Sequence, residues 1–326
     1  MHFSNFQNQD KNHVINLFEK VFEKKITEEF WNWRYGMSPF GKPIESLLWA
    51  ENKLVGYYMI NPLPMKINDH LENILLSMSM MIHPDYQGLG IQVAALAKFT
   101  FENAIQKGYN LILAFPNELS YKLHFGVLGW KDFGRITEYK KQINTAPNFI
   151  NSTNYTVEML KEFNHEIDLI WNKHKNEHQI MIQRTSDFLN WRFIKHPKTP
   201  YENYPSYEYI PFIIRNGTEP IAYFVIKKFG QEKCHVVDYF GLLDNEVITI
   251  ILSTAESICI ENDIHFLSFW ENSEMNQTTL KAISTKNGYL ADNSHCFFGC
   301  KQLTTNNMLY EQKKNFFVTM ADSDVF

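Results

Sequence analysis

Hydrophobic positions change period repeatedly along the first 145 residues. Val14, Ile15, Phe18, Val21 and Phe22 recur at helical spacing, which predicts an amphipathic helix over 13–23. Thr27 followed by Glu28 and Glu29 is a helix start: a hydroxyl to cap the first amides, then carboxylates to meet the positive end of the dipole. Stretches 45–51 and 54–60 alternate around Glu51-Asn52-Lys53 and predict a hairpin. The run 74–82 is almost continuously apolar and predicts a buried strand. A long helix is expected over 91–107, a short strand over 109–115, a short helix over 118–127 and a strand over 133–143. The same order then recurs, with helices expected at 165–177 and 185–194 and strands at 207–215, 219–229 and 232–240. A helix at 246–261, a strand at 264–270, a helix at 275–286 and a strand at 294–301 complete it.

The recurrence is also visible in the residues. Phe30-Trp31-Asn32-Trp33-Arg34-Tyr35 returns as Phe188-Leu189-Asn190-Trp191-Arg192-Phe193, and Pro39 returns as Pro197 at the same offset. Gly129-Trp130 is matched by Gly288-Tyr289, and Asn117 by Asn272, each after an apolar run. A near-constant offset sustained over so long a stretch predicts a duplicated unit of ordinary domain size. The expected fold class is α/β with a mixed sheet, in two tandem domains at 1–145 and 155–302. A polar linker falls near 144–154. Residues 303–326 read as a loose tail, in which Phe316, Phe317 and Val318 are the residues able to dock.

With 44% hydrophobic residues in 326, each unit can bury its own core. A net charge of −5 without a Lys/Arg block argues against a nucleic-acid partner. No apolar run is long enough to span a membrane, and no secretion signal precedes the first helix. Cys234, Cys259, Cys296 and Cys300 form no CxxC pair and are expected as free thiols in a cytoplasmic protein. The histidines show no metal-ligand spacing, so no metal is expected.

The chemistry concentrates in Ile82-His83-Pro84-Asp85-Tyr86-Gln87-Gly88-Leu89-Gly90-Ile91-Gln92, between the buried strand and the long helix. Two glycines let backbone amides at a helix start approach a bulky anion, and a pyrophosphate is the natural guest. No Gly-Lys-Ser/Thr follows, and the third glycine of a dinucleotide fingerprint is missing.

Strand, Pro84-x-Tyr86-Gln87-Gly88-x-Gly90-Ile91, long helix, a short strand ending before Asn117, short helix and Gly129-Trp130 together resemble the GNAT superfamily of acyl-CoA-dependent N-acyltransferases. The resemblance implies that Gln87, Gly88, Leu89, Gly90, Ile91 and Gln92 hold the pyrophosphate of coenzyme A, Gln92 standing where a small residue is expected. It implies a thioester between splayed strands 74–82 and 109–115, its carbonyl on backbone near Met81 and Ile82, with Asn117 and Ser120 along the pantetheine. The family's usual tyrosine is Phe125 here, so Tyr121 or His124 is left as the acid for the departing thiolate. For a base the candidates are His83 beside the loop and, from the second unit, Asp238 or Glu271. The second unit has Phe240-Gly241-Leu242-Leu243-Asp244-Asn245 in place of the loop and is expected to be degenerate.

Trp33, Arg34, Arg184, Trp191 and Arg192 are the expected acceptor-binding residues, because ring and guanidinium suit a nucleotide diphosphate. A structural role, with Trp in the core and Arg on a carboxylate, is at least as well supported, since both units keep the motif. The tandem arrangement resembles enzymes that acylate dTDP- or UDP-linked amino-dideoxy sugars for surface polysaccharide, with acetyl-CoA or a short hydroxyacyl-CoA as donor, in a monomer or small homo-oligomer. The rivals are an N-acyltransferase for another amine (antibiotic, polyamine or amino acid), a tRNA-dependent peptide-bridge enzyme, which the acidic charge disfavours, and a non-catalytic acyl-CoA or nucleotide-sugar sensor.

Overall fold

The structure is a computed structural model that describes residues 1–36, 38–88, 90–144, 155–271, 277–304 and 307–324. The first half runs β1 (His2–Asn5), α1 (Lys11–Phe22), α2 (Glu28–Trp31), β2 (Ile44–Ala50), β3 (Lys53–Ile67) and β4 (His70–Ile82). It continues with α3 (Gly90–Gln106), β5 (Leu111–Ala114), α4 (Glu118–Tyr121) and β6 (Lys131–Gln142). The second half runs β7 (Tyr155–Met159), α5 (His165–His174), β8 (Ile180–Ile182), α6 (Ser186–Leu189), β9 (Tyr207–Asn216), β10 (Glu219–Phe229) and β11 (Lys233–Gly241). Then come α7 (Asn245–Glu261), β12 (Phe266–Glu271), α8 (Gln277–Lys286) and β13 (Leu290–Gln302). Thr27 does cap α2, its hydroxyl accepting from the Phe30 amide at 3.3 Å. The expected linker at 145–154 lies outside the described residues.

The strands form one mixed sheet in the order β1-β2-β3-β4-β5-β13-β6-β12-β11-β10-β9-β7, with β8 on the far end of β3. The order reveals an exchange that the repeat did not predict. Strand β6 of the first half closes the second, pairing Lys141 with Leu267 and Tyr139 with Phe269 on β12. Strand β13 of the second half closes the first, pairing Cys300 with Leu113 on β5. The exchanged strands also pair with each other, Tyr139 opposite Ala291. Each half therefore lacks a complete sheet without the other's last strand. Joining them removes two open edges that would otherwise invite aggregation.

Sheet alternation separates two cores. Leu47, Tyr57, Met59 and Met81 face α1 and α2. Leu48, Tyr58, Ile60 and Leu75 face α3. The exchange also depends on one close approach. A Cβ at Gly299 of β13 would lie 2.4 Å from the Phe125 ring and 2.5 Å from the Lys131 carbonyl oxygen. The carbonyl is main chain and cannot rotate away, so Gly299→Val is expected to destabilise the protein by about 1–3 kcal/mol or more in a denaturant melt.

The C-terminal segment is not loose. Phe316, Phe317, Val318 and Met320 are buried, and the Phe317 amide donates to the Ile180 carbonyl at 2.8 Å. Their apolar area is worth more against the sheet than in water, which outweighs the polar composition around them.

Candidate functional site

Strands β4 and β5 are parallel neighbours at only two positions, Leu75 with Ile112 and Leu76 with Leu113. Beyond Leu76 they part. From Ser77 to Ile82, β4 still pairs with β3, so alternate N–H and C=O groups face the gap with no described strand to bond. Tyr58 opposes Met80 and Met59 opposes Met78, leaving Ser79 as the extra residue of a bulge that bends β4 at the gap. The second half repeats the device, with Val237 extra between Val236 and Asp238.

At the open end of β4, Met81 is buried and Ile82 half-buried. His83 ends the strand, its Nδ1 accepting from the Asp85 amide at 3.3 Å, and Pro84–Tyr86 makes a tight turn. Gln87, Gly88 and Gly90 are exposed, and no atom lies within 4 Å of a Cβ built at either glycine. Helix α3 starts at Gly90. Ile91 is exposed and Gln92 half-buried in its first turn, where backbone amides have no partner within the helix. The residues expected to hold a pyrophosphate thus border open space, apart from Leu89, which lies outside the described residues. Across the gap, Asn117 caps α4, its Oδ1 accepting from the Ser120 amide at 3.1 Å.

The expected acid–base residues have other occupations. Tyr121 donates its hydroxyl to Asp132 at 2.6 Å, and that bond raises its pKa. To protonate a thiolate it must first leave Asp132. His83 is buried, and its burial and the nearby Lys53 lower its pKa; it braces the loop and does not line the cavity described next. Asp238 is fully buried, accepting from Tyr223 Oη at 2.8 Å, Thr319 Oγ1 at 2.7 Å and Arg184 Nε at 3.2 Å. It faces no cleft and is a structural anion. Arg184 shares that fate: fully buried, it also donates to Asp322 at 2.7 Å. It clamps the C-terminal segment and does not line the cavity described next. His124 is buried against Trp130, and desolvation lowers its pKa. Glu271 is buried with Oε1 unpartnered among the described residues, and burial pushes its carboxyl up to about 7; it too lies away from the cavity.

The other four expected acceptor residues do converge. Each half places its Trp-Arg pair in a widened helical turn, Asn32–Gly36 and Asn190–Ile194, a local geometry that re-aims side chains. Trp33 and Trp191 stack at 5.4 Å and 18°, and the Trp33 indole N–H donates to the Trp191 carbonyl at 2.7 Å. Beside them lies a cavity of about 50 Å³, floored by Asn61 and Leu63 of β3 and Leu76 and Met78 of β4. Arg34 and Arg192 enter from opposite halves. Arg34 donates to Ser79 Oγ at 3.0 Å and to Asp324 at 2.9 Å. Arg192 donates to the carbonyls of Ala321 and Ser323, both at 3.1 Å. The cavity therefore abuts β4 at the bulge, on the α1/α2 face, and the C-terminal segment forms one wall.

Among the polar lining residues that sequence reasoning missed are Asn61, Lys227 and Asp324, together with His196, Tyr201, Tyr207 and Ser323. Asp324 sits in the stretch read as tail, where the Phe316-Phe317-Val318 triplet was the one signal that the segment packs inward. Asn61 and Lys227 are polar residues within strand runs otherwise apolar, a cue visible in the sequence.

No protein-family model matches this sequence, and no curated protein matches it. Solved structures do. A tandem GNAT protein from the clavulanic acid biosynthesis pathway superposes with a TM-score of 0.64 at 10% identity, over 94% of this chain and 99% of that one. This chain has the tandem GNAT fold. A conserved Enterococcus faecalis protein described as a probable N-acyltransferase matches with a TM-score of 0.67 at 10% identity, over 96% of this chain and 73% of its own. Saccharomyces cerevisiae N-myristoyltransferase with bound myristoyl-CoA matches with a TM-score of 0.60 at 10% identity, over 92% and 82%. The GNAT fold expected from the Gln87–Gly90 loop is the fold observed. No described helix is long and apolar enough to cross a membrane.

Proposed function

We propose that this protein is an acyl-CoA-dependent N-acyltransferase, whose amine acceptor reaches the thioester from the cavity between the two halves. The gap between β4 and β5 beyond Leu76 carries the reading. It offers unpaired backbone amides for a thioester carbonyl. On one side it opens at the glycine loop, where a pyrophosphate meets the start of α3. On the other it meets the cavity at Met78. The acceptor nitrogen attacks the carbonyl carbon, the C–N bond forms and the C–S bond breaks. The thiolate, intrinsically a moderate base, leaves and is protonated by solvent. The ammonium proton goes to Asp324, the one carboxylate among the described residues lining the cavity.

The acceptor class is narrower than the sequence suggested. Trp33 and Trp191 spend a ring face on each other, and Arg34 and Arg192 hold the C-terminal segment. A cavity of about 50 Å³ has room for roughly three to five waters. These features favour a compact amine over a dTDP- or UDP-linked amino sugar.

The test is titration with acetyl-CoA and short hydroxyacyl-CoAs, followed by product mass with a panel of small amines and nucleotide-linked amino sugars. Because space above Gly90 is open, Gly90→Val should leave the melting temperature within a degree or two of wild type while weakening acyl-CoA binding about tenfold or more, the loss of one or two charge-assisted hydrogen bonds. Undiminished binding in that variant removes the loop from the site. No acyl-CoA binding by the wild-type protein overturns the function.

A further inference from the structure

The cavity between the halves is chemically lopsided. Lys227 on β10 is 4% exposed, and its ammonium lies 3.9 Å from the Tyr207 ring centroid and 5.3 Å from that of Tyr209. Among the described residues no carboxylate pairs with it. Burial and the neighbouring Arg192 pull its pKa below the ordinary lysine value, against a smaller opposing effect from Tyr209. Asn61 on β3 is 1% exposed, and among the described residues neither its nitrogen nor its oxygen has a partner. Arg34 Nε and Trp191 Nε1 are buried and unpartnered among the described residues as well. All four side chains line the same cavity. Three of them, Asn61, Arg34 and Trp191, carry four buried polar atoms with no hydrogen bond among the described residues. Unmade hydrogen bonds are rare in folded interiors, and four such atoms around one void are not explained by packing.

The count of donors and acceptors sets what fits. Lys227, Arg34 Nε, Trp191 Nε1 and the Asn61 amide nitrogen can only donate. The Asn61 oxygen is the one open acceptor among them. A buried ammonium without a counter-charge is costly, and an entering anion removes that cost. A carboxylate offers four lone-pair positions in a flat, compact group. The wall itself already holds one carboxylate, Asp324, on the neighbouring Arg34.

We infer that the cavity is a carboxylate site, and that the acceptor is a small amine which also carries a carboxylate, bound by Lys227 and Asn61 with its nitrogen turned toward β4. The inference rests on the acyl-transfer reading for the direction of the nitrogen, but the anion site itself stands independently. A nucleoside diphosphate exceeds the volume.

The experiment is calorimetric titration and thermal shift of the full chain with amino acids and simple monocarboxylates, with their uncharged amides and with inorganic phosphate. Acetyl-CoA is titrated in parallel. Lys227→Met and Asn61→Leu are the variants. Carboxylates are expected to bind and raise the melting temperature, and the matched amides to bind at least about tenfold more weakly, as expected for hydrogen bonds to a charged group. Lys227→Met should lose carboxylate binding by a similar factor. Without ligand it should melt no lower than wild type, because Met fills the volume and removes an uncompensated charge. Equal binding of amide and carboxylate overturns the inference, and so does undiminished carboxylate binding in Lys227→Met. Binding of phosphate but no carboxylate overturns it also. If acetyl-CoA binds and no carboxylate does, the acyl-transfer reading stands and the carboxylate site falls. If carboxylates bind and acetyl-CoA does not, the reverse holds.

Discussion

Asp324→Asn is expected to lower kcat by about 10²–10⁴-fold, the usual worth of a positioned proton acceptor. The change keeps shape and keeps an oxygen for Arg34 to donate to, so the 2.9 Å contact survives as a neutral hydrogen bond. What disappears is the charge able to take the ammonium proton. The KM for acyl-CoA should stay unchanged, because Asp324 lies in the cavity and not at the glycine loop. The pH profile separates this role from a structural one. An alkylammonium near the ordinary lysine value of about 10.4 loses its proton unaided as pH climbs, so the gap between variant and wild type should narrow toward alkaline pH. A gap constant across pH, or an undiminished kcat, would remove Asp324 from the chemistry.

The second large effect is on stability. Arg184 is 0% exposed and serves two carboxylates, Asp238 and Asp322, together with the Thr319 hydroxyl and the Ile182 carbonyl. Arg184→Ala leaves both anions buried without a counter-charge. Breaking such a pair on one side costs about 3–5 kcal/mol, which for a chain of this size lowers the melting temperature by about 4–7 °C. Asp322 belongs to the segment that carries Ser323 and Asp324, so the same variant should lose transfer activity below its melting temperature. Combining Arg184→Met with Asp238→Asn and Asp322→Asn should recover much of the stability, since desolvated charge is removed from both sides. A single variant that melts like wild type would mean that the cluster does not fasten the segment. Differential scanning calorimetry reads all of these.

The helices and strands were legible because burial of one face imposes a period on the chain. Val14, Phe18 and Val21 mark α1, and the unbroken run over 74–82 marks β4, as observed. Short edge elements were not legible. Strands β1 and β8 have four and three residues, too few for a period to show, and they exist because β2 and β3 offer open edges. The glycine loop stood out in the sequence as a motif, and open space surrounds positions 88 and 90 among the described residues. The Trp33–Arg34 and Trp191–Arg192 pairs were legible as a repeat, and their meeting was not.

The sequence by itself determined the order of the longer elements, their recurrence in the second half and the place of the glycine motif between strand and helix, since these depend on local periodicity and on residues close in the chain. Tertiary structure alone decided which strand closes which half. Hydrogen-bonding edges of strands are alike whatever the side chains, so β6 and β13 can satisfy either β5 or β12. It also decided that Asp238 and Arg184 are structural while Asp324, Asn61 and Lys227 line the cavity. A charge declares its role only through its partners, and here those partners lie as many as 290 residues away.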